Sequence, residues 1–395
     1  MPLGLYLSVP FCRTKCSYCN FASDVFSRAV FARYVDRVCA DIHTTPKTAE
    51  QMGGRFEPEA NSLYLGGGTP TVLDSPQLER LFVTVRQEFR LHPETEVTVE
   101  CAPGTLTPAV VETLLRCGVN RVSLGVQSFV DQEAAAVGRL HRRETVLDDI
   151  VRLRRAGISN ISIDLIAGLP HQTAESWRES VESAISLDVP HVSVYMLEVD
   201  EDSRLGRELI AGGSRYHAHF VPDENLTADF YESACEWLNA AGVRQYEISN
   251  FARDGWESRH NLKYWTRQPY LGFGVDAHSM LVSANDGWEA VRFSTSDVLD
   301  QYVGGAPLNR VEISRQTALE ETFFLGLRLN RGVDLEKVRG EFGPFVVTQL
   351  GPLLVDLAGV GLIDWEGDQV RLTTRGRLLS NEVFERFLAG KSAVS

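Results

Sequence analysis

Cys12, Cys16 and Cys19 stand in the stretch VPFCRTKCSYCNF, with spacing C-x3-C-x2-C. Three thiolates this close can wrap a compact metal centre, and soft sulfur suits zinc or an iron–sulfur cluster. A structural zinc site is normally closed by four protein ligands. No fourth Cys or His follows within the loop. The nearest, Cys39 and His43, lie in the helical run FARYVDRVCADIH and are awkward partners. A cubane held by three cysteines leaves one iron open for a substrate or cofactor, which implies chemistry rather than scaffolding. A zinc site and metal-free thiols remain the alternatives at this point.

A second group of residues could meet a ligand. In LYLGGGTP, residues 63–70, glycines without Cβ let the backbone approach a bound molecule, and exposed N–H and C=O groups can hold it. A tight turn after a strand reads the same way. Glu100 and Asp164 suit hydroxyl or ammonium groups, and Arg139 suits a carboxylate. Any one of these charges alone reads equally as a solvated rim residue.

The elements that must position these residues alternate over the first 200 positions. LYLSV, SLYLGG, EVTVECA, RVSLGVQ, NISIDLIAG and HVSVYMLEV read as strands. Helical patterns separate them. In DSPQLERLFVTVRQEF the apolar Leu78, Leu81, Phe82, Val85 and Phe89 share a face, with Ser75 as N-cap before Pro76. LTPAVVETLLRCG runs from Thr107 to a stop at Gly118, and ETVLDDIVRLRRAG stops at Gly157. GVNRVSLGV and GISNISIDL repeat one pattern, and VPHVSVYML is a weaker third copy. Stacked units of this kind predict an α/β fold, a partial (β/α)6 TIM-like barrel. A closed eight-unit barrel needs about 250 residues; an open doubly wound sheet is the alternative. Either way the ligand site lies at the C-terminal strand ends, where the cysteines, the glycine loop, Glu100 and Gln127 fall.

Beyond residue 200 the periodicity weakens. LIAGGSRYHAHFVPDENLT and residues 248–279 read as irregular, LTADFYESACEWLNAAG as a helix. TALEETFFLGLRL and LGPLLVDLAGVG are helical, and LIDWEGDQVRLTTRG is a hairpin turning at Glu366-Gly367-Asp368. Helices followed by a hairpin predict a C-terminal α+β domain of winged-helix type.

The chain has 395 residues, 44% hydrophobic and 23% charged, which is globular composition. Its net charge of −14 argues against nucleic acid as a partner. No apolar run is long enough to span a membrane or to act as a signal peptide, so a cytoplasmic location is expected. Disulfides are uncommon there, and Cys39, Cys101, Cys117 and Cys235 are expected as core or incidental thiols.

The cysteine spacing with Tyr18 before the third cysteine, together with GGGTP, resembles the radical S-adenosylmethionine (SAM) superfamily. LYLSVPFCRTKCSYCNF, YLGGGTPT, NRVSLGVQSF, IDLIAGLPHQT, YEISNFA, RHNLKYW and YLGFG extend the likeness, through nearly the whole chain, to the coproporphyrinogen III oxidase-like group. The resemblance implies a [4Fe–4S] cluster on Cys12, Cys16 and Cys19, with SAM on the open iron. It implies that Tyr18 is among the SAM-binding residues, that Tyr6 lies beside the sulfonium, that Gly67, Gly68 and Thr69 take the methionine end, and that Glu100, Gln127, Arg139 and Asp164 hold the carboxylate, ribose and adenine.

Two branches of that group differ. The dehydrogenase branch, which decarboxylates coproporphyrinogen III, carries a further cysteine where this chain has Phe21, and a longer N-terminal extension. The heme chaperone branch is marked by H-N-x-x-Y-W, here His260, Asn261, Tyr264 and Trp265. Imidazole ligates heme iron, and Tyr and Trp stack on a flat macrocycle; without the resemblance His260 reads as a loop histidine. The expected function is therefore heme binding and transfer, with the dehydrogenase or another radical SAM oxidoreductase as the alternative. Expected partners are heme and heme-accepting proteins, membrane respiratory enzymes among them, which leaves peripheral membrane attachment and a homodimer open. The expected division is residues 1–220 as the radical SAM barrel, 221–310 as a connecting segment with the heme motif, and 311–395 as the C-terminal domain. ECAPGTLT departs from the group's usual E-x-N-P, and Asp276 stands where Gly is usual.

Overall fold

The computed structural model describes residues 1–388. Six strands form its parallel centre: β1 (Leu3–Val9), β2 (Glu59–Gly67), β3 (Arg90–Cys101), β4 (Arg121–Gln127), β5 (Asn160–Ala167) and β6 (His191–Met196). They pair in chain order, with Tyr6 opposite Tyr64, Tyr64 opposite Thr98, Glu100 opposite Ser123, and Asp164 opposite Gly125 and Ser193. Parallel neighbours need crossovers, and the helices Ser75–Glu88, Pro108–Arg116, Arg143–Arg155 and Ala174–Ser186 supply them. The sheet does not close. Beyond β6 lie the short antiparallel strands Asn250–Ala252 and Arg244–Gln245; beyond β1 lie Tyr270–Phe273, His278–Ser283, Ala290–Ser294 and Asn309–Ile313.

Strand alternation explains the architecture. Leu5, Leu7, Leu63, Leu65, Val97, Val99, Val122, Leu124, Ile161, Ile163, Val192 and Val194 are buried in the main hydrophobic core. The residues between them are polar or glycine: Tyr6, Ser8, Tyr64, Gly66, Thr98, Glu100, Ser123, Gly125, Ser162, Asp164 and Ser193. With a side-chain period of two, one face of each strand packs beneath helices and the other lines a polar interior.

Local chemistry sets the helix boundaries. Ser75–Glu88 is capped by Asp74 rather than Ser75: Asp74 accepts from Gln77 N, and the Gln77 side chain accepts from Asp74 N. This reciprocal box satisfies two orphan donors, which Ser75 inside the first turn could not do. Thr107 caps Pro108–Arg116 through Val110 N, as its position before Pro108 predicts. The repeated stops also appear. Gly118 and Gly157 are left-handed, and in the weaker third copy Asp188 takes that conformation at φ 53°.

The segment 248–279 is more ordered than its composition predicts. It carries Asn250–Ala252, the helix Arg259–Trp265, and Tyr270–Phe273, which pairs in parallel with β1 through Leu5 opposite Leu271. These elements are too short to show periodicity, and pairing with β1 and β6 decides them. The loop read over 209–227 holds the end of the helix Arg204–Ala211, the single turn Ala218–Phe220 and the first turn of the helix Glu224–Ala240.

At the C-terminal end, the helix Arg315–Gly326, the strand Val333–Asp334, the helices Leu335–Phe342 and Val346–Gly359, and the hairpin Ile363–Glu366 and Gln369–Leu372 follow in winged-helix order. Their own core includes Phe323, Leu354, Leu357, Val370 and Val383. No helix of the described residues is long and apolar enough to cross a membrane. Leu63 lies in the apolar layer at 0% exposure. Leu63→Ala is expected to cost about 2–5 kcal/mol of unfolding free energy, read from the urea midpoint at unchanged slope.

Candidate functional site

The cysteine loop follows β1 directly, and the glycine loop follows β2, so pairing of the two strands brings them together. Gly68 N donates to Val9 O at 2.8 Å and Thr69 N to Phe11 O at 2.8 Å. A Cβ on Gly68 would stand 2.8 Å from Phe11 O and 3.0 Å from Cys12 Sγ, so only glycine fits. Thr69 Oγ1 lies 3.9 Å from Cys12 Sγ. Arg139 reaches Cys16 Sγ with Nη1 at 3.5 Å and Gly125 O with Nη2. Tyr18 packs against the small apolar cluster of Val137, Ile166 and Leu169. The loop is clamped elsewhere by Cys12 N to Asp24 O, Ser17 N to Val137 O, and Leu205 N to Ser17 O.

All seven cysteines are free thiols; Cys39, Cys101 and Cys117 are buried, and Cys235 is half-buried. Among the described residues, no group of three or more His, Cys, Asp or Glu is placed to hold a single metal ion. Thiolates bound to separate irons of one cubane stand farther apart than ligands sharing one ion, so the donor set fits a cluster better than zinc. The buried Ser17 Oγ in the same loop has no protein partner.

Beside the cysteines a cavity of about 120 Å³ is lined by Tyr6, Ser8, Pro10, Phe21, Ala22, Gly67, Glu100 and Asp276. Its carboxylates suit a cationic ligand, and SAM carries both a sulfonium and an ammonium. Glu100 ends β3 and accepts from Tyr64 Oη at 2.8 Å and from Gly67 N at 3.2 Å. Burial pushes the Glu100 carboxyl up to about 7; Asp164 adds to the rise, and the bonds from Tyr64 and Gly67 oppose it. Asp164 is also raised by burial, opposed by hydrogen bonds from Ser193 and Ser123. Gln127 closes β4 in the left-handed region at φ 68°, an uncommon conformation for a residue with a Cβ. Tyr6, Gly67 and Glu100 thus face one cavity. Gly68, Thr69 and Arg139 touch the cysteine loop, Gln127 stands at the end of β4, and Asp164 lies within β5 in the polar interior, accepting from Ser123 Oγ.

The second predicted group lies lower in the barrel. His260 is 1% exposed. Its Nδ1 bonds Ser62 Oγ at 3.0 Å and its Nε2 bonds Tyr264 Oη at 2.8 Å. Glu96 holds the start of this helix, accepting from Arg259 N and His260 N, each at 3.1 Å. Burial, with Lys263 nearby, pushes the His260 imidazole down to about 3. Asn261, Tyr264 and Trp265 are half-buried, and Arg328 stacks over the Trp265 ring at 4.2 Å. The His260 ring lies 5.2 Å from that of Tyr64, so the motif touches the far side of the Tyr64–Glu100 pair without lining the upper cavity.

Two residues at this site were given no role by the sequence reading. Tyr64 stands in the LYLGGGTP run beside the glycines, and its inward register is the signal that points it at Glu100. Asp276 was conspicuous only as a departure; it is left-handed at φ 53°, which explains why glycine suits that position, and its side chain reaches the cavity.

Residues 6–184 match the radical SAM superfamily, and residues 313–379 match the HemN C-terminal domain. The heme chaperone HemW of Lactococcus lactis subsp. lactis (strain IL1403) is 33% identical over 392 residues, covering 98% of this chain and 97% of that one. HemW of Bacillus subtilis (strain 168) is 35% identical, covering 97% and 98%. The chain belongs to the HemW family. HemW of Escherichia coli (strain K12) is 30% identical over 98% of both chains. The structure of coproporphyrinogen III oxidase (HemN) from Escherichia coli, a radical SAM enzyme, superposes with a TM-score of 0.82 at 24% identity, over 98% of this chain and 90% of that one. This chain therefore shares the fold of that radical SAM enzyme.

Glu100 gives the site a measurable signature. Its folded value lies above the ordinary 4.5, so the ligand-free fold favours the protonated form. Stability from this group is fully present below pH 4.5 and falls as pH rises toward about 7. Glu100→Gln is expected to stabilise the ligand-free chain at pH 8 by on the order of 3 kcal/mol, with the gain vanishing toward pH 4.5. Denaturant unfolding across that range checks it, and a pH-independent difference would contradict it.

Proposed function

We propose that this chain is a heme chaperone that binds a [4Fe–4S] cluster, SAM and heme, and passes heme to acceptor proteins. The observation that carries the reading is end-to-end identity above 30% with proteins named heme chaperones, joined to an intact cysteine triplet. In this reading Cys12, Cys16 and Cys19 hold the cluster, and Tyr18 and Arg139 back the loop. Gly67, Gly68 and Thr69 offer backbone and hydroxyl groups to the methionine end of SAM. Tyr6 lies beside the sulfonium, while Glu100, Gln127, Arg139 and Asp164 meet the amino-acid, ribose and adenine parts. When bound, the cluster supplies an open iron and an electron donor.

His260, Asn261, Tyr264 and Trp265 form the heme contact of this reading. His260 has no free ring nitrogen, so ligating iron requires it to release Ser62 or Tyr264. Heme held there must open the interior, which suits a carrier that gives its cargo up. Membrane respiratory enzymes are the proposed acceptors, which implies attachment at the membrane surface, and a homodimer is compatible with the reading. The domain division of the reading is barrel (1–220), connecting heme segment (221–310) and C-terminal domain (311–395). Phe21, 66% exposed at the cavity, offers no thiol for porphyrin oxidation and weighs against the dehydrogenase alternative.

An optical heme titration of cluster-loaded protein tests the binding, and transfer to an apo acceptor tests the chaperone role. Absence of heme binding, or anaerobic conversion of coproporphyrinogen III to protoporphyrinogen, would overturn the reading. His260→Ala is expected to slow transfer several-fold while leaving acid-labile sulfide unchanged. Equal transfer would remove His260 from the heme path.

A further inference from the structure

His217, outside the motifs quoted above, meets His171 of the IDLIAGLPHQT run on the rim beside the cysteine loop. His171 Nε2 and His217 Nδ1 are 3.1 Å apart. Both residues are left-handed, at φ 69° and 61°, a conformation uncommon for residues with a Cβ. Two such residues in mutual contact are held there by a constructed loop. Glu208 accepts from Tyr216 N at 2.8 Å and Ala218 N at 3.2 Å, while His171 N donates to Phe220 O at 3.0 Å.

This pairing has the form of an imidazole ligand with its supporting partner. A ligating histidine commonly donates its second ring N–H to a neighbour, which fixes tautomer and ring orientation. With the proton on His217 Nδ1, His171 Nε2 accepts it and His217 Nε2 presents a lone pair. Among the described residues, no hydrogen bond engages His217 Nε2.

The surroundings fit a flat, anionic, apolar-faced ligand. Phe220 packs on the His171 ring at 4.1 Å and remains 48% exposed, and Ile210 is 67% exposed on the adjacent helix. The same loop borders an open surface depression of about 450 Å³ lined by Arg204, Arg207, Glu208, Gly212, Arg215 and Tyr216. Three guanidinium groups around one carboxylate make this a cationic patch on a chain of net charge −14. Guanidinium groups pair with carboxylates such as the propionates of a porphyrin.

The geometry points to an iron-porphyrin docking site on this rim, with His217 Nε2 as the iron ligand, His171 as its positioning residue, and Arg207 and Arg215 meeting the propionates. The site rests on the heme-chaperone reading and deepens it: heme meets the accessible rim first and the buried His260 segment afterwards. Because Leu205 N and the Arg204 guanidinium bond the carbonyls of Ser17 and Lys15, the docked heme would adjoin the cysteine loop.

The test is an optical titration of the full cluster-loaded chain with ferric protoporphyrin IX, and with metal-free protoporphyrin IX in parallel. His217→Ala is expected to weaken ferric heme binding about tenfold or more and to move the Soret band, while binding of the metal-free ring changes little. His171→Ala is expected to weaken ferric binding less. Arg207→Glu/Arg215→Glu is expected to weaken both ligands without moving the Soret band. Cluster content and thermal midpoint identify any variant that fails to fold, for which His217→Gln is the substitute. Wild-type heme binding unchanged in His217→Ala and His217→Gln would overturn the rim site and leave the chaperone reading standing. Absence of heme binding by the wild type would overturn both.

Discussion

The closeness of Gly68 to the cysteine loop is the constraint from which the rest of the site follows. Two strand ends must lie near enough for Gly68 N and Thr69 N to bond Val9 O and Phe11 O. A parallel β1–β2 pair puts both C-terminal ends on one side, and a parallel pair requires a helical crossover. The helical segments between residues 29 and 52 and the apolar layer beneath them therefore serve the contact as much as the fold. A Cβ at position 68 would drive the cysteine loop away from the glycine loop, and the thiol of Cys12 would move with it.

The same strands divide stability from chemistry. Their outward Leu, Val and Ile residues pack beneath helices, which is where burial stabilises the chain. Their inward residues are Tyr, Ser, Thr, Glu and Asp, which need partners inside a small interior. Tyr64, Ser123 and Ser193 supply some of them, but Glu100 and Asp164 still carry desolvation that their bonds do not offset. A buried carboxylate held at such cost is commonly found where a cationic group is to be met.

Much of this was legible in the residues. Six runs alternating apolar with polar or glycine positions predict six half-buried strands, and the stops at Gly118 and Gly157 predict the crossovers between them. The cysteine spacing predicts a metal loop at the first strand end. Other features were not legible because they depend on tertiary pairing. Tyr270–Phe273 is four residues long and becomes a strand only by adding to β1. Asp74 displaced Ser75 as a cap because Gln77 could answer it. The depth of His260 follows from Glu96 and Ser62, residues far away in the chain that no local pattern connects to it.

The column formed by His260, Tyr64, Glu100 and the Gly67 amide runs from the interior to the rim. It joins the two ends through Tyr64, whose ring lies against His260 and whose hydroxyl donates to Glu100. A ligand at either end that prefers one setting of Tyr64 changes the affinity of the other end by some factor, and reciprocity requires the second ligand to return the same factor. In a carrier with that wiring, loading and release are two readings of a single coupling free energy, and either ligand can act as the effector of the other.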